Sequence, residues 1–169
     1  CRPHARCSGR CRCRRGPEMT AGASLTLVTI AIPTYRRPDL LRRALESVAQ
    51  QTYKALEVLV ADNATEGSEV EAVVASFSSQ LPGLVFHKHV ANIGAVGNFF
   101  YCLERARGGY FMWLADDDEI SPSAVEAMVQ VLDRDPLAVS AVPHWLLKRG
   151  AIGGELQAAR SYESLNRLS

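Results

Sequence analysis

Hydrophobic positions along this chain fall into two alternating patterns: unbroken apolar runs, and stripes that recur every three to four residues. LTLVTIAIP (25–33) is continuous and β-branched, as a strand buried on both faces requires. Pro38 then opens a stripe over 38–51, with Leu40, Leu41, Ala44, Leu45, Val48 and Ala49 on one side and Arg42, Arg43 and Glu46 off it. That spacing predicts an amphipathic helix. LEVLVA (56–61) predicts a second strand, EVEAVVASF (69–77) a helix closed by Leu81-Pro82-Gly83, and LVFHKH (84–89) a third strand. GAVGNFFYCLERA (94–106) carries Phe99, Cys102, Leu103 and Ala106 at helical spacing and stops at Gly108-Gly109. YFMWLA (110–115) predicts a fourth strand. Ser121 and Pro122 predict the cap and first residue of a helix with the stripe Val125, Met128, Val129 and Leu132. LAVSAVP (137–143) predicts a fifth strand, and from Lys148 onward the pattern predicts no element.

Strands and helices in strict alternation predict an α/β fold with three layers, an open and mostly parallel sheet with helices on both faces. In such sheets the ligand crevice lies beyond the carboxyl ends of the strands. Those ends read Pro33-Thr34-Tyr35-Arg36, Asp62-Asn63-Ala64-Thr65, Asn92-Ile93-Gly94 and Asp116-Asp117-Asp118-Glu119. Each is polar or permissive of unusual backbone. Asp62 alone reads as a turn or cap residue; convergence of four such ends in one cleft favours a site.

Composition changes this picture little. The chain of 169 residues is 47% hydrophobic and 22% charged, with no apolar stretch long enough to span a membrane. Its net charge of +1 conceals an asymmetry: residues 1–18 hold six of the nineteen Lys and Arg and one acid, which leaves the remainder at −4. That leader also holds four of the five cysteines. Their C-x3-C-x-C spacing does not match a zinc site, and no apolar core marks a signal peptide. Residues 1–23 are therefore expected to be disordered or non-native, with Met19 a natural start. Cys102 reads as a core residue. Nothing demands an oxidising compartment, so the cytoplasm is expected, or the inner face of the membrane.

The four acids are the sharpest chemical signal. If the segment continues extended from a central strand, Asp116 and Asp118 point the same way about 6–7 Å apart. Their repulsion at an effective dielectric near 20 is then roughly 2–3 kcal/mol. A solvated acidic loop at a helix N-terminus would screen that repulsion. A hard cation such as Mg²⁺ or Mn²⁺, held by one or two carboxylates and completed by substrate phosphates, would remove it. The chain has neither a G-x-G-x-x-G after its first strand nor a G-x4-G-K-[ST], which disfavours a dinucleotide oxidoreductase or a P-loop hydrolase.

With VTIAIPTYRRPDLLRRALESVAQQTYKALEVLVADNAT, NIGAVGNFF and GGYFMWLADDDEISPSAVEAMVQVL in view, the chain resembles the N-terminal, nucleotide-sugar-binding part of a family 2 glycosyltransferase of the GT-A, Rossmann-like fold. The resemblance covers about residues 25–133 and implies a nucleoside diphosphate sugar donor, Mg²⁺ or Mn²⁺, and transfer to an acceptor hydroxyl with inversion. Carbohydrate or lipid-linked acceptors and cell-envelope polysaccharide synthesis follow from the same likeness. Carried across by position, Pro33, Thr34 and Tyr35 would border the base and ribose, and Asp62 would bond the base. Asn92, Gly94 and Asn98 would shape the nucleotide pocket, and Asp116 would lie near the ribose or diphosphate. Asp117 and Asp118 would face the metal. Two departures stand out: many members write D-x-D-D, with the first acid at the position of Ala115, and D-D-G-S where this chain has Asp62-Asn63-Ala64-Thr65. Residues 24–145 would form the donor domain and 146–169 the start of an incomplete acceptor part. The late acids Glu155 and Glu163 sit in no motif, so no general base is nominated. The alternative expectation is a non-catalytic module that binds a sugar nucleotide or a partner chain.

Overall fold

The computed structural model describes residues 25–135 and 137–141 together with two short strands, Leu146–Leu147 and Gln157–Ala158. The expectations for the leader, for Val142 and Pro143, and for Glu155 and Glu163 lie outside the described residues. Four strands, β1 (Val28–Thr34), β2 (Leu56–Asp62), β3 (Leu84–Lys88) and β4 (Tyr110–Trp113), form one parallel sheet in the order β3-β2-β1-β4. The helices between and after them are α1 (Pro38–Ala49), α2 (Glu69–Ser76), α3 (Gly94–Arg105) and α4 (Ala124–Arg134).

Side-chain alternation along the two inner strands sends alternate residues to opposite faces. Val28, Ile30, Ile32, Val58 and Val60 join Leu41, Ala44, Leu45 and Val48 of α1, Val70, Val73 and Val74 of α2, and Val125 and Val129 of α4. The other face sets Ala31, Leu59 and Ala61 against Cys102 of α3. Both faces are thus covered, as the continuous apolar runs predict. Small residues at Ala31 and Ala61 let α3 approach closely. Burial pushes the Cys102 thiol up to about 11, so it is an inert core group.

Four expectations are corrected. First, β4 is an edge strand of the described sheet rather than a central one, and Trp113 is 44% exposed. Second, the buried residues of α3 are Asn98 and Cys102, while Phe99 and Leu103 lie largely outward, because the sheet face above α3 is narrow and small. Third, α4 begins at Ala124, without a side-chain cap from Ser121 or Ser123. Its N-terminus is held instead by Gln51, 1% exposed, whose Nε2 donates to Ser47 O and Ser121 O and whose Oε1 accepts from Val125 N. Fourth, 137–141 form no strand; Leu146–Leu147 (β5) pairs antiparallel with Gln157–Ala158 (β6) in a separate two-stranded sheet. No helix among the described residues is long and apolar enough to cross a membrane.

Candidate functional site

The chain runs from β1 outward through β2 to β3, then returns to the far side of β1 with β4. This reversal makes the gap between the carboxyl ends of β1 and β4 the switch point of the sheet, the place where such folds open a crevice. A cavity of about 400 Å³ lies there, lined by Pro33, Thr34, Tyr35, Asn92, Asn98, Asp116 and Asp117 among others. The structure therefore brings together seven of the expected site residues. Asp62, Gly94 and Asp118 stand beside it and do not line it.

The loops leaving β1 and β2 are tied to each other. Asn63 N donates to Thr34 O at 3.0 Å, and Arg36 N donates to Thr65 Oγ1 at 2.8 Å. Thr65 Oγ1 in turn donates a hydrogen bond to Asp62 Oδ1 at 2.5 Å, and Thr65 N donates to the same oxygen at 3.2 Å. Arg36 and Ala64 hold left-handed backbone, with φ of 57° and 63°, which costs a non-glycine residue about 1–2 kcal/mol. Asp62 is fully buried, and its Oδ2 has no hydrogen-bond partner among the described residues. Such an oxygen is an acceptor without a donor, a costly state that an N–H group would relieve.

The start of α3 is held by two amides. Asn63 Nδ2 donates to Asn92 Oδ1 at 3.0 Å, and Asn63 Oδ1 accepts from Ile93 N at 2.9 Å. Asn92 Oδ1 also accepts from Gly94 N, at a glycine with φ of 78°. A carboxylate at position 63 could not donate, so the Asn63 departure from the commoner D-D-G-S has a structural reason here. Asn98, 3% exposed, donates from Nδ2 to Ala61 O at 2.8 Å and shares Oδ1 with His89 Nε2 at 3.0 Å.

The acids are not extended. Asp118 N donates to Ala115 O at 3.0 Å, closing a tight turn that sets the carboxylates in different surroundings. Asp116 is 6% exposed and accepts from Thr34 Oγ1 at 2.8 Å and from Arg37 Nη1 at 3.2 Å. Arg37 Nη1 also lies 3.5 Å from Asp117 Oδ2, and Arg43 pairs with Glu119. Arg37, at the N-cap of α1, and Arg43 within it thus supply part of the positive charge that a cation was expected to bring. Burial, then the charges of Asp117 and Asp116, raise the Asp118 carboxyl above the usual aspartate range. No three His, Cys, Asp or Glu side chains converge on a metal position among the described residues. Asp117 lines the cavity and Asp118 lies beside it, a pair of carboxylates that would suit a hard ion bringing phosphate oxygens as its other ligands.

Sequence reasoning gave no site role to Arg37, Ala95, Phe99 and Ala115, and placed Asn63 only among the strand ends; all five line the cavity. For Arg37 and Asn63 a signal existed, since both lie within four residues of the end of a predicted strand.

Comparison with known proteins identifies relatives of this sequence and this fold. An uncharacterized glycosyltransferase of Rickettsia bellii is 35% identical over 109 residues, which cover 64% of this chain and 15% of that protein. The chain thus spans a small part of the relatives it matches. Staphylococcus aureus TarS 1-349, solved in complex with UDP, superposes with a TM-score of 0.60 at 21% identity, over 64% of this chain and 32% of that one. The mannosyltransferase PcManGT from Pyrobaculum calidifontis, in complex with GDP-Man and Mn²⁺, gives 0.51 at 23% identity, over 57% and 29%. At these identities the two structures establish the GT-A fold. The family model for glycosyl transferase family 2 matches residues 29–162, most of the sequence, and this chain belongs to that family.

Proposed function

We propose that this chain is the donor-binding part of a glycosyltransferase that moves a sugar from a nucleoside diphosphate sugar to an acceptor hydroxyl. The observation that carries the reading is the cavity of about 400 Å³ at the switch point, lined by Pro33, Thr34, Tyr35, Asn92, Asn98, Asp116 and Asp117. The buried Asp62 Oδ2, without a partner among the described residues, is an acceptor that a nucleobase imide or amino N–H would satisfy on moving into contact with it. Pro33, Thr34 and Tyr35 would flank base and ribose, Asn92, Gly94 and Asn98 would shape the wall, and Asp116, oriented by Thr34, would face ribose or diphosphate. Solved neighbours in complex with UDP, UDP-GlcNAc and GDP-Man support this class of ligand.

Asp117 and Asp118 would hold Mg²⁺ or Mn²⁺, which supplies charge neutralisation to the departing diphosphate. The chain's own groups bind and orient the donor so that its anomeric carbon faces the acceptor. With inversion, the acceptor oxygen forms its bond on the face opposite the leaving diphosphate, which departs with the bonding electrons. The acceptor's proton passes to a base that no residue described here is assigned to be. A carbohydrate or lipid-linked acceptor, and a place in the cytoplasm or at the inner membrane face, belong to the same proposal.

Calorimetry with UDP and Mn²⁺ tests it. The folded chain should bind, and Asp62→Asn, which presents an NH₂ donor in place of one carboxylate oxygen, should weaken binding about tenfold or more. Absence of binding by the folded wild-type chain would refute the reading.

A further inference from the structure

Arg37 is the only basic residue that lines the cavity among the described residues. Its two acidic contacts are unequal. Asp116 is anchored from the other side by Thr34 and is 8% exposed at its side chain, so its 3.2 Å bond to Arg37 is a fixed, sheltered one. Asp117 is 54% exposed and lies 3.5 Å away, a Coulombic contact at the limit of hydrogen bonding. An exposed pair of that kind is worth at most about 1 kcal/mol, little enough for a divalent ion to displace. The arginine side chain is itself 53% exposed, so its remaining N–H groups stay open to the cavity it lines while Nη1 keeps its bond to Asp116.

We infer that Arg37 is a built-in counter-ion of the pocket: it shields Asp116 and Asp117 in the free protein, yields Asp117 to the arriving cation, and offers its guanidinium to the diphosphate. The inference rests on the function proposed above and extends it to a residue given no role there. A guanidinium presents a planar fork of donors suited to phosphate oxygens, so it can supply part of the positive charge that a diphosphate needs without any metal. Arg37 therefore lowers the dependence of nucleotide binding on the divalent ion.

The test is UDP affinity of the full chain by calorimetry, with and without Mn²⁺, for wild type, Arg37→Ala and Arg37→Gln. The glutamine variant keeps a polar, hydrogen-bonding side chain at the position while removing the charge, so misfolding of the alanine variant does not decide the matter. Metal-free UDP affinity should fall about tenfold in both variants, and affinity with Mn²⁺ about threefold or less. The enhancement by Mn²⁺ should thus grow at least about threefold. A purely structural arginine would lower both affinities together and leave the enhancement unchanged, which would overturn the inference and spare the functional reading. Wild-type binding of UDP only in the presence of Mn²⁺ would also overturn it. No UDP binding under either condition would remove the functional reading itself, and this inference with it.

Discussion

Glu57 sits on β2 with 4% of its surface exposed, a position where an acid is normally excluded. Burial alone would raise its carboxyl, but bonds from Thr29 Oγ1 at 2.6 Å, Arg107 N at 2.9 Å and Arg107 Nε at 2.5 Å outweigh that effect and lower it below the usual glutamate range. Arg107 is 70% exposed at its side chain, so the hydroxyl and backbone donors matter more than its charge. Because the folded carboxyl is more acidic than the unfolded one, its stabilisation is complete above the ordinary value of about 4.3 and is lost as pH falls through the lower, folded value. Glu57→Gln should therefore destabilise the chain by about 1–3 kcal/mol at neutral pH. In urea unfolding, the gap between wild type and variant should close as pH drops through that acidic window. A gap that persists unchanged there would mean that shape, rather than charge, sets the cost. None of this was legible in LEVLVA, because the partners come from β1 and from the turn after α3.

Elements differ in how much of their form is local. The runs that became β1 and β2, and the stripe of α1, carry their own signal, since burial on two faces or one demands those patterns wherever the element sits. The start of α4 does not: Gln51 closes it from the end of α1, a partner more than seventy residues away. The loop after β2 mixes both. Its sequence announces a turn, while the left-handed φ of 63° at Ala64, where D-D-G-S relatives would carry glycine, emerges only from the fold. Ala64→Gly should relieve that backbone and stabilise the chain by about 1 kcal/mol. A rise in the urea midpoint at unchanged slope would show it, and a fall would mean that unfolded-state entropy outweighs the strain.

At the scale of the whole molecule, a single buried bond, Thr34 Oγ1 to Asp116 Oδ2, joins residues 82 apart across the switch point. Thr34→Val keeps the shape and removes the donor, leaving a carboxylate oxygen short of a partner in a nearly dry position. Stability should drop by about 1–3 kcal/mol, and UDP binding should weaken with it. Wild-type affinity in that variant would show that the pocket assembles without the tie. The sequence by itself determined the order of elements, the α/β class and the strand ends at which polar side chains collect, because periodicity and turn chemistry act within a few residues. Tertiary structure alone decided that β4 lies at an edge of the described sheet, that the acids fold into a turn, that Arg37 shares their charge and that Asp62 Oδ2 goes unpartnered among the described residues. Those facts depend on which distant groups meet in a low-dielectric crevice, and no local pattern encodes that meeting.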